Sequence, residues 1–70
     1  MTDDISIQVN GEPKRVPEGL SVEELLRTFD LQPRMIVVEH NGDILRRERY
    51  DQVRIAPGDA LELVHFVGGG

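Results

Sequence analysis

Apolar and polar positions alternate strictly near the start of the chain. In the segment "ISIQVN", Ile5, Ile7 and Val9 share one face while the side chains between them are polar. This period of two is typical of a half-buried strand. The "NG" dipeptide that follows predicts a reversal into a second strand ending near Val16. The chain is therefore expected to open with a β-hairpin.

The apolar spacing becomes helical in the stretch "SVEELLRTFD". The residues that repeat at this spacing are Val22, Leu25, Leu26 and Phe29. Ser21 is placed to cap the helix, and Glu24, three residues later, is placed to reach back to the amide of the cap. Pro33 predicts that the helix ends before it, because proline lacks the amide donor and disfavours helical geometry in the preceding residue.

The second half of the chain carries shorter strand signals. "MIVVEHNGDIL" predicts a strand, a type I′ turn at Asn41 and Gly42, and a short returning strand. The segments "VRI" and "LEL" flank the turn signal "APGDA", so we expect Val53 and Ile55 to pair with the strand of "LEL". "RRERYD" has no period long enough to decide between irregular chain and a helical turn that carries Tyr50 inward.

These elements predict an α+β fold with the order β-β-α-β-β-β. A mixed sheet of four to five strands, curled around the one helix, buries the apolar face of each element. The last strand must bury Leu61 and Leu63, so we expect it to lie near the centre of the sheet. The predicted domain spans residues 1–66, and residues 67–70 are predicted to form a flexible tail.

Composition and charge narrow the classes of function. The 70 residues include no cysteine, which excludes disulfides, thiolate metal sites and catalytic thiols. A formal net charge of -5 argues against nucleic acid as a partner and favours a basic protein. The segment "MTDDISIQVN" has neither the basic region nor the apolar stretch of a signal peptide or membrane span. We therefore expect a cytoplasmic protein that binds no membrane.

Side-chain chemistry for catalysis is sparse. His40 and His65, the only histidines, lie far apart in sequence and have no metal-ligand spacing around them. Ser21 is better explained as a helix cap than as a nucleophile. Glu23 can pair with Arg27 one helical turn on. No catalytic residue and no metal ligand is therefore predicted.

The end of the sequence is a more informative feature. Gly68, Gly69 and Gly70 follow a strand-like run, and glycine lacks the Cβ that would stop a chain from threading a narrow channel. Such a strand can deliver its terminal carboxylate into a partner's active site. The alternative is a frayed end with no role.

Strand parity adds a candidate docking surface beside this tail. If Leu61 and Leu63 face the core, Val64 and Phe66 point away from it. Together they would form an exposed apolar patch, which is typical of a partner interface. A bulge that buries Phe66 is the alternative.

A series of motifs in fixed order supports a family resemblance. They are "VNGE", "VPEGLSVEELL", "VVEHNGDIL", "APGDALELVHFV" and the glycine end. Each is weak alone, but their order and spacing are specific. Over essentially its whole length the chain resembles the ThiS family of sulfur carriers, which are ubiquitin-like β-grasp proteins of bacterial thiamin biosynthesis.

The resemblance implies a role for the end of the chain. The carboxylate of Gly70 would be adenylated by an E1-like adenylyltransferase similar to ThiF, which uses ATP and magnesium, and converted to a thiocarboxylate. The sulfur would pass to a thiazole synthase similar to ThiG. Gly69 would complete the diglycine, with Gly68 as an extra link, and Val64, Phe66 and Val67 would help dock the partners. The chain itself would bind no cofactor and would be a cosubstrate, not an enzyme.

Three other functions fit parts of the pattern. The small subunit of molybdopterin synthase also ends in diglycine and carries sulfur, but such chains tend to be longer. A protein modifier would attach through the same carboxylate, although Lys14 is the only lysine on which this chain could build polymers of itself. A plain interaction domain with a frayed end is the third possibility.

Overall fold

The computed structural model describes residues 3–65, and this part of the chain contains five strands and one α-helix. The strands are β1 (Asp4–Val9), β2 (Glu12–Pro17), β3 (Ile36–His40), β4 (Asp43–Leu45) and β5 (Ala60–His65), and the helix is α1 (Val22–Thr28). Two 3₁₀ turns complete the order, at Pro33–Met35 and Arg47–Arg49. The predicted order β-β-α-β-β-β is confirmed.

The strands form one mixed sheet in the order β2-β1-β5-β3-β4. Two antiparallel hairpins, β1–β2 and β3–β4, lie on either side of β5. Strand β5 runs parallel to β1 and antiparallel to β3. The last strand is therefore central, as its apolar residues predict.

Both hairpins turn on an Asn-Gly pair with left-handed backbone. Asn10 and Gly11 have φ of 52° and 81°, and Asn41 and Gly42 have φ of 52° and 90°. Positive φ at both central residues is what a type I′ turn requires, and asparagine and glycine tolerate it best. These two dipeptides fix the register of the hairpins.

The helix begins with the predicted capping box. Ser21 Oγ accepts a hydrogen bond from the Glu24 amide at 3.1 Å, and Glu24 Oε1 accepts one from the Ser21 amide at 2.9 Å. Glu23 and Arg27 form the expected ion pair one turn apart, at 3.1 Å. The helix ends at Thr28, ahead of Pro33.

The core lies between α1 and one face of the sheet. Val22, Leu25 and Leu26 of the helix are fully buried, and so is Val38 of β3. The 3₁₀ turn Arg47–Arg49 carries Tyr50 into this core, where its hydroxyl donates to the Ile36 carbonyl at 2.7 Å. Burial raises the pKa of the Tyr50 phenol. The segment "RRERYD" is thus a helical turn.

The predicted pairing of "VRI" with the last strand is wrong. The Ile55 amide donates to the Leu20 carbonyl, and the Val22 amide donates to the Val53 carbonyl, both at 2.9 Å. The segment is tied to the entrance of the helix and forms only an isolated bridge there, between Arg54 and Ser21. It has no place beside β5, since β1 and β3 already occupy the two edges of that strand.

The helices of the described chain are short. In residues 3–65, none is long and apolar enough to cross a membrane. The prediction of a cytoplasmic location is not tested by this observation.

Candidate functional site

Strand β5 leads directly to the residues predicted to form the site. Its five register pairs with β3 run from His40 opposite Leu61 to Ile36 opposite His65. On the other edge, β1 supplies only two pairs, Gln8 with Ala60 and Val9 with Leu61. The final residues of β5 are therefore held more continuously by β3 than by β1.

Asn10 continues the β1 edge after β1 itself has ended. Its amide donates to the Leu61 carbonyl at 2.8 Å. Its side-chain Oδ1 accepts from the Leu63 amide at 2.8 Å, and its Nδ2 donates to the Leu63 carbonyl at 3.3 Å. One carboxamide thus satisfies both backbone groups of Leu63, as a further residue of a parallel strand would. We call these two side-chain bonds the Asn10 clamp.

A second asparagine holds the beginning of β5. The Asn41 amide donates to the Ala60 carbonyl, and Asn41 Oδ1 accepts from the Ala60 amide, both at 2.8 Å. Nδ2 of the same side chain donates to Asp59 Oδ1 at 3.2 Å. The asparagines of the two type I′ turns therefore bond the central strand at its first residue, Ala60, and further along at Leu61 and Leu63.

Asp59 is a buried carboxylate with a structural role. Its Oδ2 accepts from the Ala56 amide at 2.9 Å and lies 2.8 Å from His40 Nε2. Burial opposes ionisation of this carboxyl, but the hydrogen bonds from Ala56, His40 and Asn41 outweigh it and lower the pKa of Asp59. His40 is thereby occupied as a partner of Asp59.

The outer face of the sheet presents apolar and acidic side chains together. Val64 is 60% exposed and lies opposite Val37 on β3, and Glu62 lies opposite Glu39 on the same two strands. Ile44 of β4, which is 66% exposed, lies on the other side of Glu39. We call these five residues the outer patch. The prediction that Val64 points away from the core is confirmed.

Val64 is the one member of the outer patch that the sequence predicted as a docking residue, and two further apolar members were missed. These are Val37 and Ile44, in the runs "MIVV" and "DIL". Adjacent residues in both runs are apolar, so the sequence does not indicate which side chain faces solvent. The alternation of β3 indicates that Val37 faces outward, because Ile36 and Val38 on either side of it are buried. The place of Ile44 in the outer patch follows only from the pairing of β4 with β3.

The remaining predicted site residues lie outside the part of the chain that the structure describes. They are Phe66, Val67, Gly68, Gly69 and Gly70. Their roles in docking and sulfur transfer stay predictions. In residues 3–65, no group of three or more histidine, cysteine or acidic side chains is arranged to hold a metal ion.

Comparison with known proteins places this architecture in a family. The sequence profile described as "ThiS family" matches residues 7–70. The chain belongs to the ThiS family. It is 35% identical to the sulfur carrier protein ThiS of Bacillus subtilis over 65 residues, which cover 91% of this chain and 98% of that protein.

Solved structures support the assignment and the fold. The crystal structure of the thiamine biosynthesis protein ThiS from Geobacter metallireducens matches with a TM-score of 0.81 and 40% identity, over 94% of this chain and all of that one. A designed protein based on human erythrocytic ubiquitin matches over 97% of this chain and 96% of its own, with a TM-score of 0.56 and 26% identity. The predicted ubiquitin-like β-grasp fold is confirmed.

The family resemblance extends to part of a larger protein. The thiazole synthase of Paramagnetospirillum magneticum is 36% identical over 66 residues, which make up 94% of this chain but only 20% of that protein. A ThiS-like segment is thus contained within a chain named thiazole synthase.

Proposed function

We propose that this chain carries sulfur for thiamin biosynthesis as a thiocarboxylate on Gly70. One observation carries the proposal: the ThiS family match extends through residue 70 and so includes the three glycines. The similarity to a sulfur carrier protein over 98% of that protein's length supports it. In this role the chain is a carrier and a cosubstrate, not a catalyst.

The chemistry explains why the chain needs no catalytic side chain. A carboxylate is a poor acyl donor until one of its oxygens becomes part of a good leaving group. An E1-like adenylyltransferase would join the Gly70 carboxylate to the AMP portion of ATP, with magnesium on the phosphates and pyrophosphate released. A donor whose sulfur is at the oxidation state of sulfide then attacks the acyl carbon. AMP leaves, and a thiocarboxylate remains. ATP and magnesium belong to that partner, and the sulfur rests on the main chain.

The outer patch is the surface that we propose for docking. Val37 on β3 and Val64 on β5, the last strand of the described chain, form an exposed apolar pair across the two strands. Glu39 and Glu62 lie directly opposite each other, an arrangement of like charges that disfavours the free sheet. A partner with an apolar surface and a nearby basic side chain would cover the valine pair and relieve the repulsion between the two glutamates. Phe66 and Val67 would extend the contact.

The partner that accepts the sulfur would be a thiazole synthase. The proteins from Paramagnetospirillum magneticum and Magnetococcus marinus that carry this name each contain a segment similar to nearly the whole of this chain. A carrier-like segment within a synthase would bring donor and acceptor together at high effective concentration. For a separate carrier such as this one, the outer patch would perform that task.

The intact mass of the protein tests the proposal. The chain is incubated with ATP, magnesium, an E1-like adenylyltransferase and a sulfide source. We expect a mass gain equal to the replacement of one oxygen by sulfur, located on Gly70 by fragmentation. No gain, with an enzyme preparation that modifies a known ThiS, would contradict the proposal.

Two control variants identify the acceptor atom. A chain extended by one alanine beyond Gly70 has the same domain but no glycine carboxylate, and we expect no gain. A chain that ends at Gly68 lacks the diglycine and is also expected to stay unmodified. Deleting Gly70 alone is a weaker control, because that chain still ends in two glycines.

A further inference from the structure

We propose that Asn10 is a positioning residue for the glycine end, acting through Leu63. The inference rests on the proposed function, since it concerns how the tail is presented to partners. The observation behind it is the Asn10 clamp, a pair of side-chain hydrogen bonds to both backbone groups of Leu63. Leu63 lies two residues before the end of β5.

The geometry shows why this strand end needs a clamp. Alternate residues of a strand direct their amides and carbonyls to opposite edges. Leu61 and Leu63 direct theirs to the β1 edge, where β1 pairs with β5 only as far as Leu61. In residues 3–65, no strand continues that edge beyond Leu61. The carboxamide of Asn10 takes the place of the missing strand.

The clamp holds the direction in which the chain leaves the sheet. With Leu63 bonded to Asn10 on one edge and β3 paired along the other, β5 stays aligned almost to its end. Without the clamp, β3 alone would hold the strand beyond Glu62, and the strand end would sample more directions. A partner that binds one direction would then find a smaller competent population, which weakens its apparent affinity without altering the chemical step.

Asn41 supplies a matched control. It occupies the same position of the same turn type, with the same φ of 52°. Its side chain also bonds β5, but at Ala60, the first residue of the strand. Replacing either asparagine by glycine keeps the turn, since glycine accepts positive φ, and removes only the side-chain grip. A role in turn stability alone would affect both variants alike.

The experiment compares Asn10→Gly and Asn41→Gly in two measurements. NMR order parameters of the Val64 and His65 amides should fall in Asn10→Gly and stay at wild-type values in Asn41→Gly. In the adenylation assay, we expect Asn10→Gly to raise the KM for the carrier about fivefold with kcat unchanged. Asn41→Gly should leave both constants unchanged.

A second variant protects the test against loss of folding. Asn10→Asp keeps the turn and the acceptor to the Leu63 amide but sets an oxygen against the Leu63 carbonyl, and the same rise in KM is expected. Unchanged order parameters in Asn10→Gly, or an equal rise in KM for Asn41→Gly, would overturn the inference. A wild-type chain that takes up no sulfur would overturn the proposed function, while the order parameters would still decide whether Asn10 holds the strand end.

Discussion

At the scale of single residues, polar side chains position the central strand. Asp59 is the clearest case, because three hydrogen bonds hold its carboxylate at the start of β5. These bonds were not predicted from the sequence, where "APGD" indicates only a turn. Side-chain partners separated by 18 or 19 positions depend on the assembled sheet. The tertiary fold creates the site, so local patterns do not reveal it.

The lowered pKa of Asp59 predicts a stability that depends on pH. The folded state favours the ionised carboxyl, so this contribution is complete above the unfolded pKa of about 3.9 and is lost as pH falls through the lower folded value. We expect Asp59→Asn to be less stable at neutral pH and to lose less stability than wild type below about pH 4.

Urea unfolding at a series of pH values measures this difference. Asp51→Asn removes the same charge from an exposed position, and we expect its stability to decline in acid as that of the wild type does. An Asp59→Asn protein with the wild-type decline would show that Asp59 makes no such contribution.

At the scale of elements, local signals predicted the structure where the contacts are local. The capping box of Ser21 and Glu24, and both Asn-Gly turns, form within four residues and were predicted correctly. The segment "VRI" was predicted wrongly because its sequence is typical of a strand, whereas its backbone bonds with Leu20 and Val22 tie it to the start of the helix. The conformation of such a segment is decided by hydrogen-bond partners that are distant in sequence.

The helix cap gives a prediction at this scale. Ser21→Ala removes the acceptor for the Glu24 amide in a buried position, and we expect a loss of about 1 kcal/mol in the free energy of unfolding. Ser6→Ala is the matched control, because Ser6 is exposed on β1, and its effect should stay within about 0.5 kcal/mol. Urea denaturation measures both. Equal effects would contradict the role of the cap.

At the scale of the whole molecule, the fold holds β5, the strand that leads to the glycine end. The two hairpins flank β5, the helix covers one face of the sheet, and the predicted acceptor lies five residues beyond the last residue of β5. The central place of β5 could be predicted from Leu61 and Leu63, of which the first is buried and the second partly buried. The full outer patch could not, because it joins β3, β4 and β5 through register.

Substitution in the outer patch should separate binding from stability. Val64→Asp changes a side chain that is already 60% exposed, so we expect the free energy of unfolding to change by less than about 0.5 kcal/mol. The KM for the carrier with the adenylyltransferase should rise about tenfold, as for a residue central to an interface. Gln8→Glu adds the same charge on β1 and should leave the KM unchanged. A wild-type KM for Val64→Asp would exclude the outer patch from this docking.

Transfer of labelled sulfur is the most direct test of the sulfur-carrier role. The chain is converted to its thiocarboxylate with heavy-isotope sulfur, purified, and incubated with a thiazole synthase and its other substrates. We expect the label to leave Gly70 and to appear in the thiazole product. Retention of the label on this chain, under conditions in which the thiocarboxylate of a known ThiS is consumed, would contradict it.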